Sequence, residues 1–97
     1  MSSEEIYHVI HNYFADKPVK KVQVFGSFAR KKDDDNSDID LLVTMQKHVG
    51  LIKLAGYKLE LEEMLHKKVD LITEPSINNV FKEIIQPDLT TVYENTK

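Results

Sequence analysis

Gly26-Ser27-Phe28-Ala29-Arg30-Lys31-Lys32-Asp33-Asp34-Asp35-Asn36-Ser37-Asp38-Ile39-Asp40-Leu41-Leu42-Val43 is the stretch on which the reading of this chain turns. Ile39, Leu41, Leu42 and Val43 form a short apolar run that predicts a strand. Side chains alternate across a strand, so Asp38 and Asp40 share a face, roughly 7 Å apart at Cβ, while Ile39 and Leu41 point to the core. Two adjacent carboxylates repel each other. A cation between them removes the repulsion, and Mg²⁺ prefers such oxygen ligands.

Upstream, Val22 and Val24 alternate with Lys21 and Gln23, which predicts a strand at about residues 20–25 that Gly26 ends. Ser27 is placed to cap a short helix carrying Phe28, Ala29 and Arg30. Glycine lets backbone approach a ligand closely. Free amides at a helix start, with the Ser27 hydroxyl, favour a phosphate. A phosphate site at Gly26-Ser27 and a metal site at Asp38 and Asp40 are thus joined by one short loop. Lys31 to Ser37 are wholly polar and read as solvated, with Lys31 within reach of a phosphate.

Further out, Ser2 and Glu5 have capping-box spacing, and Ile6, Val9, Ile10 and Tyr13 recur at helical intervals, predicting a helix at about 3–15. Asp16 to Pro18 form a turn. A long helix is expected at about 49–66, with Leu51, Leu54, Ala55, Leu61 and Leu65 on its core face. Ile52, Tyr57, Leu59 and Met64 widen that face beyond a normal stripe. Core packing is the default reading, and such width also suits a partner surface. Val69, Leu71 and Ile72 predict a strand. Pro75 and Ser76 open a helix carrying Ile77, Val80, Phe81, Ile84 and Ile85, which Pro87 ends. Thr90 to Tyr93 suit a short edge strand. The order α-β-α-β-α-β-α implies an α/β (α+β) fold, a small mixed β-sheet flanked by helices.

Asp70 interrupts an apolar strand, and a lone acid among core residues is costly to bury unless paired or metal-bound. If its strand lies beside that of Asp38 and Asp40, three carboxylates meet, and such a cluster holds two metals about 3.5–4 Å apart. The plainer alternatives are surface acids at Asp38 and Asp40, a simple turn and cap at Gly26-Ser27, and an Asp70 paired with Lys67 or Lys68. His8 and His11 are i, i+3 on the first helix, with no third His near them in sequence and no Cys in the chain to complete a zinc site.

At 97 residues the chain fits a single domain, 1–97, with one modest core and little left for a second lobe. With 41% hydrophobic and 30% charged residues it falls among globular chains. A net charge of -3 lacks the basic excess that long nucleic acid requires. The acidic, polar start at Met1-Ser2-Ser3-Glu4-Glu5 is unlike a secretory signal, and no apolar run is long enough to span a bilayer, so a cytoplasmic protein with no membrane partner is expected.

Gly26-Ser27, ten residues, then Asp38-Ile39-Asp40 resembles the nucleotidyltransferase signature of the DNA polymerase β superfamily, whose third carboxylate matches Asp70. With Ser37-Asp38-Ile39-Asp40-Leu41 and Val92-Tyr93-Glu94, the chain resembles the minimal MNT-domain antitoxins, which carry the catalytic core alone and are commonly paired with a HEPN-domain ribonuclease toxin. The resemblance implies a polymerase β palm-like fold and transfer of AMP from ATP to a tyrosine of the cognate HEPN toxin, held as a hetero-oligomer. Asp38, Asp40 and Asp70 would bind two Mg²⁺ ions and carry catalysis, with Gly26 and Ser27 gripping the nucleotide phosphates. Arg30 follows the Gly-Ser pair in the family pattern and would either contact phosphate or brace the loop. Two other readings are a non-catalytic antitoxin acting by contact and a small-molecule nucleotidyltransferase, although the latter usually carry a further helical domain.

Overall fold

A computed structural model describes residues 3–26, 38–73 and 89–95. These segments contain α1 (Ser3–Phe14), β1 (Val19–Phe25), β2 (Ile39–Met45), α2 (Leu51–Leu65), β3 (Val69–Thr73) and β4 (Thr90–Glu94). The helices expected at 28–30 and from Pro75, the loop 31–37 and the Ser2 half of the capping box lie outside the described residues.

The strands form one sheet in the order β3-β2-β1-β4. β1 is antiparallel to β2 and to β4, whereas β2 and β3 are parallel. The sheet is therefore mixed, as expected of an α+β fold, and among the described residues Thr90–Glu94 is an edge strand. A parallel pair needs a crossover connection, and α2 supplies it between β2 and β3. The Gln46 amide donates to the Pro18 carbonyl at 3.0 Å, and the Asn95 amide to the Lys20 carbonyl at 2.8 Å, so the start of β1 is tied on both sides.

The main core lies between the helices and one sheet face. Ile6, Ile10 and Phe14, spaced four apart on α1, are each at most 1% exposed. Val9 and Tyr13, expected on this face, flank it half-buried. Below them lie Val22 and Val24 of β1 and Ile39, Leu41 and Val43 of β2, all without solvent contact. Tyr13, Phe14 and Tyr57 meet edge to face, with ring centroids 5.1 to 6.1 Å apart, the geometry that aromatic quadrupoles favour.

The long helix runs at 51–65, close to its expected bounds, but its buried face differs from the expected one. Tyr57, Leu61 and Leu65, four residues apart, are buried. Leu51 is 83% exposed and Ala55 is also exposed, while Leu54 is half-buried. Apolar residues lie all round this helix, so periodicity does not single out one side. The ring of Tyr57 against α1 fixes the side that turns inward, leaving Ile52, Leu59 and Met64 outside. The helix closes with His66 in the left-handed region, φ 54°, its amide donating to the Glu62 carbonyl at 2.9 Å. That position usually belongs to glycine.

The opposite sheet face is different. Phe25 and Leu42 are buried there beside Ile72 and Leu89, and the carboxylates occupy its end. Among the described residues no helix is long and apolar enough to cross a membrane.

Candidate active site

Strand register assembles the site. Antiparallel pairing sets Phe25 against Asp40, which delivers Gly26 to the same spot as β1 ends. Parallel pairing sets Asp40 directly beside Asp70 and Ile39 beside Val69. Residues paired in register point to the same face. Asp40 and Asp70 therefore face away from the main core, as Ile39 and Leu41 fill it. Asp38 lies one step before β2, half-buried.

Gly26 has φ +80°. A Cβ added there would run into the Asp40 carboxylate, with Oδ2 the first atom met and Cγ 3.4 Å away. Both the backbone conformation and the space therefore exclude a side chain. The close approach seals one side of Asp40.

Burial pushes the Asp40 carboxyl up from its ordinary 3.8 to about 6, reinforced by the charge of Asp70, a hydrogen bond shared with Asp70, and the charge of Asp38. Two carboxylates in contact cannot both ionise freely. The pair must either share a proton or take up positive charge. Among the described residues no three His, Asp or Glu side chains form a closed metal-binding group. The structure brings Asp40 and Asp70 together as a pair, with the charge of Asp38 acting on Asp40. This all-oxygen donor set, short of positive charge and half-open to solvent, fits a hard divalent cation such as Mg²⁺, which keeps water and substrate oxygens as further ligands. Ser27, Arg30 and Lys31 lie outside the described residues.

One peptide unit behind the carboxylates is held from both sides. The Ile39 amide donates to the Lys68 carbonyl at 2.9 Å. On the outer edge of β3, the Val69 amide donates to Oε2 of Glu62 at 2.9 Å. Lys58 donates to the same oxygen at 2.9 Å. Glu62 sits in Leu59-Glu60-Leu61-Glu62-Glu63, and nothing in that run of acids marks it from Glu60 or Glu63.

The two helix histidines serve the fold differently. His11 donates from Nδ1 to the Val92 carbonyl at 3.0 Å and sets its ring edge-on to Tyr93. It pins α1 to β4. His8 is exposed.

The nucleotidyltransferase domain family profile matches residues 10–92, a span that includes the Gly26-Ser27 and Asp38-x-Asp40 elements and Asp70. A Methanocaldococcus jannaschii protein named as a candidate protein adenylyltransferase is 39% identical over 85 residues, covering 88% of this chain and 91% of its own. A solved structure described as a candidate minimal nucleotidyltransferase superposes with a TM-score of 0.79 at 29% identity, covering 93% of this chain and 95% of that one. The fold also matches, with a TM-score of 0.77 and 18% identity, a complex of the Shewanella oneidensis tri-AMPylated HEPN toxin with its MNT antitoxin, covering 97% of this chain and 74% of that one. The profile spans most of the chain and the relatives share its length as well as its sequence, so this chain belongs to the nucleotidyltransferase domain family.

Proposed function

We propose that the protein is a Mg²⁺-dependent protein adenylyltransferase that transfers AMP from ATP to a tyrosine of a cognate HEPN-domain toxin in the cytoplasm and thereby acts as its antitoxin. The observation that carries this reading is the register of Asp40 beside Asp70 with Gly26 closed against the Asp40 carboxylate. A carboxylate pair next to a glycine turn suits phosphoryl transfer and has no evident use in docking. The relative named for adenylyl transfer and the neighbouring complex with an AMPylated toxin support the substrate and the acceptor.

Two Mg²⁺ ions, when bound, would neutralise the triphosphate and stabilise the charge of the transferring group. Asp38, Asp40 and Asp70 would hold them. Gly26 and Ser27 would receive the β- and γ-phosphates, with Arg30 at the phosphate or behind the loop. The acceptor oxygen attacks the α-phosphorus in line. The new O–P bond forms as the bond to the β-phosphate oxygen breaks, pyrophosphate leaves, and the hydroxyl proton passes to Asp70.

The exposed Leu51, Ile52 and Leu59 give a contact surface that also suits neutralisation by binding alone. Mixing the protein, its HEPN partner, ATP and Mg²⁺ separates the two readings. Intact-mass spectrometry is expected to show one or more AMP units added to a partner tyrosine. The partner should stay silent after this protein is removed. The Asp38→Ala, Asp40→Ala double variant should bind without changing the partner's mass. Full neutralisation by the double variant, with no mass gain from wild type, would remove the enzymatic reading.

A further inference from the structure

We infer that Glu62, on α2, is a positioning residue that sets the third carboxylate, Asp70, in register for metal binding. The inference rests on the proposed metal-dependent site. Among the described residues β3 lies at one end of the sheet, and the amides on its outer side face no described strand. The Val69 amide is one of these, and Glu62 takes the place of a neighbouring strand with a 2.9 Å hydrogen bond from it. The carbonyl of the same peptide, at Lys68, accepts from Ile39 on the inner side. A trans peptide is planar, so gripping its N–H from one side and its C=O from the other fixes its rotation about the strand axis. The next residue is Asp70, and Ile39 stands between Asp38 and Asp40. The double grip thus ties the start of β2, where Asp38 and Asp40 flank Ile39, to the start of the strand that bears Asp70. Lys58 holds the other end of the arrangement by donating to the same Glu62 oxygen. The two bonds together hold the carboxylate at the β3 edge.

Groups behind metal ligands typically alter affinity by about 10–100-fold when removed. Mn²⁺ binding, followed by electron paramagnetic resonance on the intact protein with a non-hydrolysable ATP analogue, reads this directly. Glu62→Ala should weaken Mn²⁺ by about tenfold. Glu62→Gln, which keeps an acceptor oxygen for the Val69 amide, should stay within about twofold of wild type. Ile6→Val, remote in the core, matches a loss of melting temperature without touching β3. Amide exchange should show the Val69 and Ile39 amides losing protection together in Glu62→Ala. Asp40→Asn reports on the metal site itself. If Asp40→Asn binds Mn²⁺ as wild type does, the metal-site reading falls. If Asp40→Asn loses Mn²⁺ while Glu62→Ala keeps it, the positioning role alone is overturned. Equal weakening in Glu62→Ala and Ile6→Val would overturn it too, as would failure of Gln to restore affinity.

Discussion

On β2, Ile39, Leu41 and Val43 lie without solvent contact under the two helices, whereas Asp40, one position along, faces away with its carboxyl against Asp70 and Gly26. The first set gains free energy by leaving water, at about 25 cal/mol per Å² of apolar surface. The second costs free energy, since burial and two neighbouring charges raise the Asp40 carboxyl to about 6. One strand thus carries the stabilising and the strained halves of the molecule on alternate residues. Because the alternation is backbone geometry, the two faces can be perturbed almost independently.

The largest effect is expected on the packed face. Leu61 on α2 is fully buried between helix and sheet. Leu61→Ala should cost about 2–5 kcal/mol, by lost transfer energy and the cavity left behind. Denaturant unfolding measures it. Mn²⁺ affinity measured well below the melting point should change little, and a large fall there would break the separation of faces.

A smaller loss of stability, with a larger loss of activity, is expected from Gly26→Ala. The left-handed backbone costs about 1–2 kcal/mol for an L-residue. The new methyl must also displace the Asp40 carboxylate. Transfer activity should be lost while the fold survives. An active Gly26→Ala would mean that Asp40 has room to move and that the close approach is incidental.

The smallest effect has the opposite sign. Without metal, the folded protein keeps a proton on Asp40 that the unfolded chain releases at its ordinary 3.8. The raised value therefore adds stability that is full below about pH 4 and is lost as pH rises through about 6. Asp40 is partly exposed, so solvent screening holds the effect to about 1 kcal/mol or less. Melting curves of the metal-free protein from pH 4 to 7 should show this decline, and Asp40→Asn should flatten it and melt at or above wild type at pH 7. A fall of several degrees in Asp40→Asn would show that the carboxylate supports the fold instead.

The same contrast explains what was legible in the sequence. β1 alternates apolar and polar residues from Lys21 to Val24, and β2 is a short apolar run buried on both faces at Leu41 to Val43, so each was legible as a strand. Thr90 to Tyr93 were legible as an edge strand by their length and β-branched residues, and β3 was legible together with its acid. α2 was placed to within two residues, yet its inward side was not. Leu51 and Ala55 were expected inside, and Tyr57 proved to be the buried anchor. An apolar helix without a polar side leaves that choice to its neighbours. Gly26, Asp38, Asp40 and Asp70 stood out by residue type and spacing. Their register did not, because pairing between strands is fixed by contacts remote in sequence. Glu62 was invisible for the same reason, since its partner is a backbone amide, and backbone amides carry no sequence signature.

The antiparallel pairing of Val22 with Tyr93 has a consequence for how the protein is made. β1 leaves the ribosome early, and its outer edge has no strand until residues 90–94 follow. Until then that edge is an open row of amides and carbonyls, able to recruit any extended segment nearby. Pairings so distant along the chain also form slowly. The His11 contact with Val92 then acts as a clasp, joining α1 to β4 once β4 has been made. A nascent chain stalled before residue 90 should be the species that chaperones hold, and release of that strand the event that frees it.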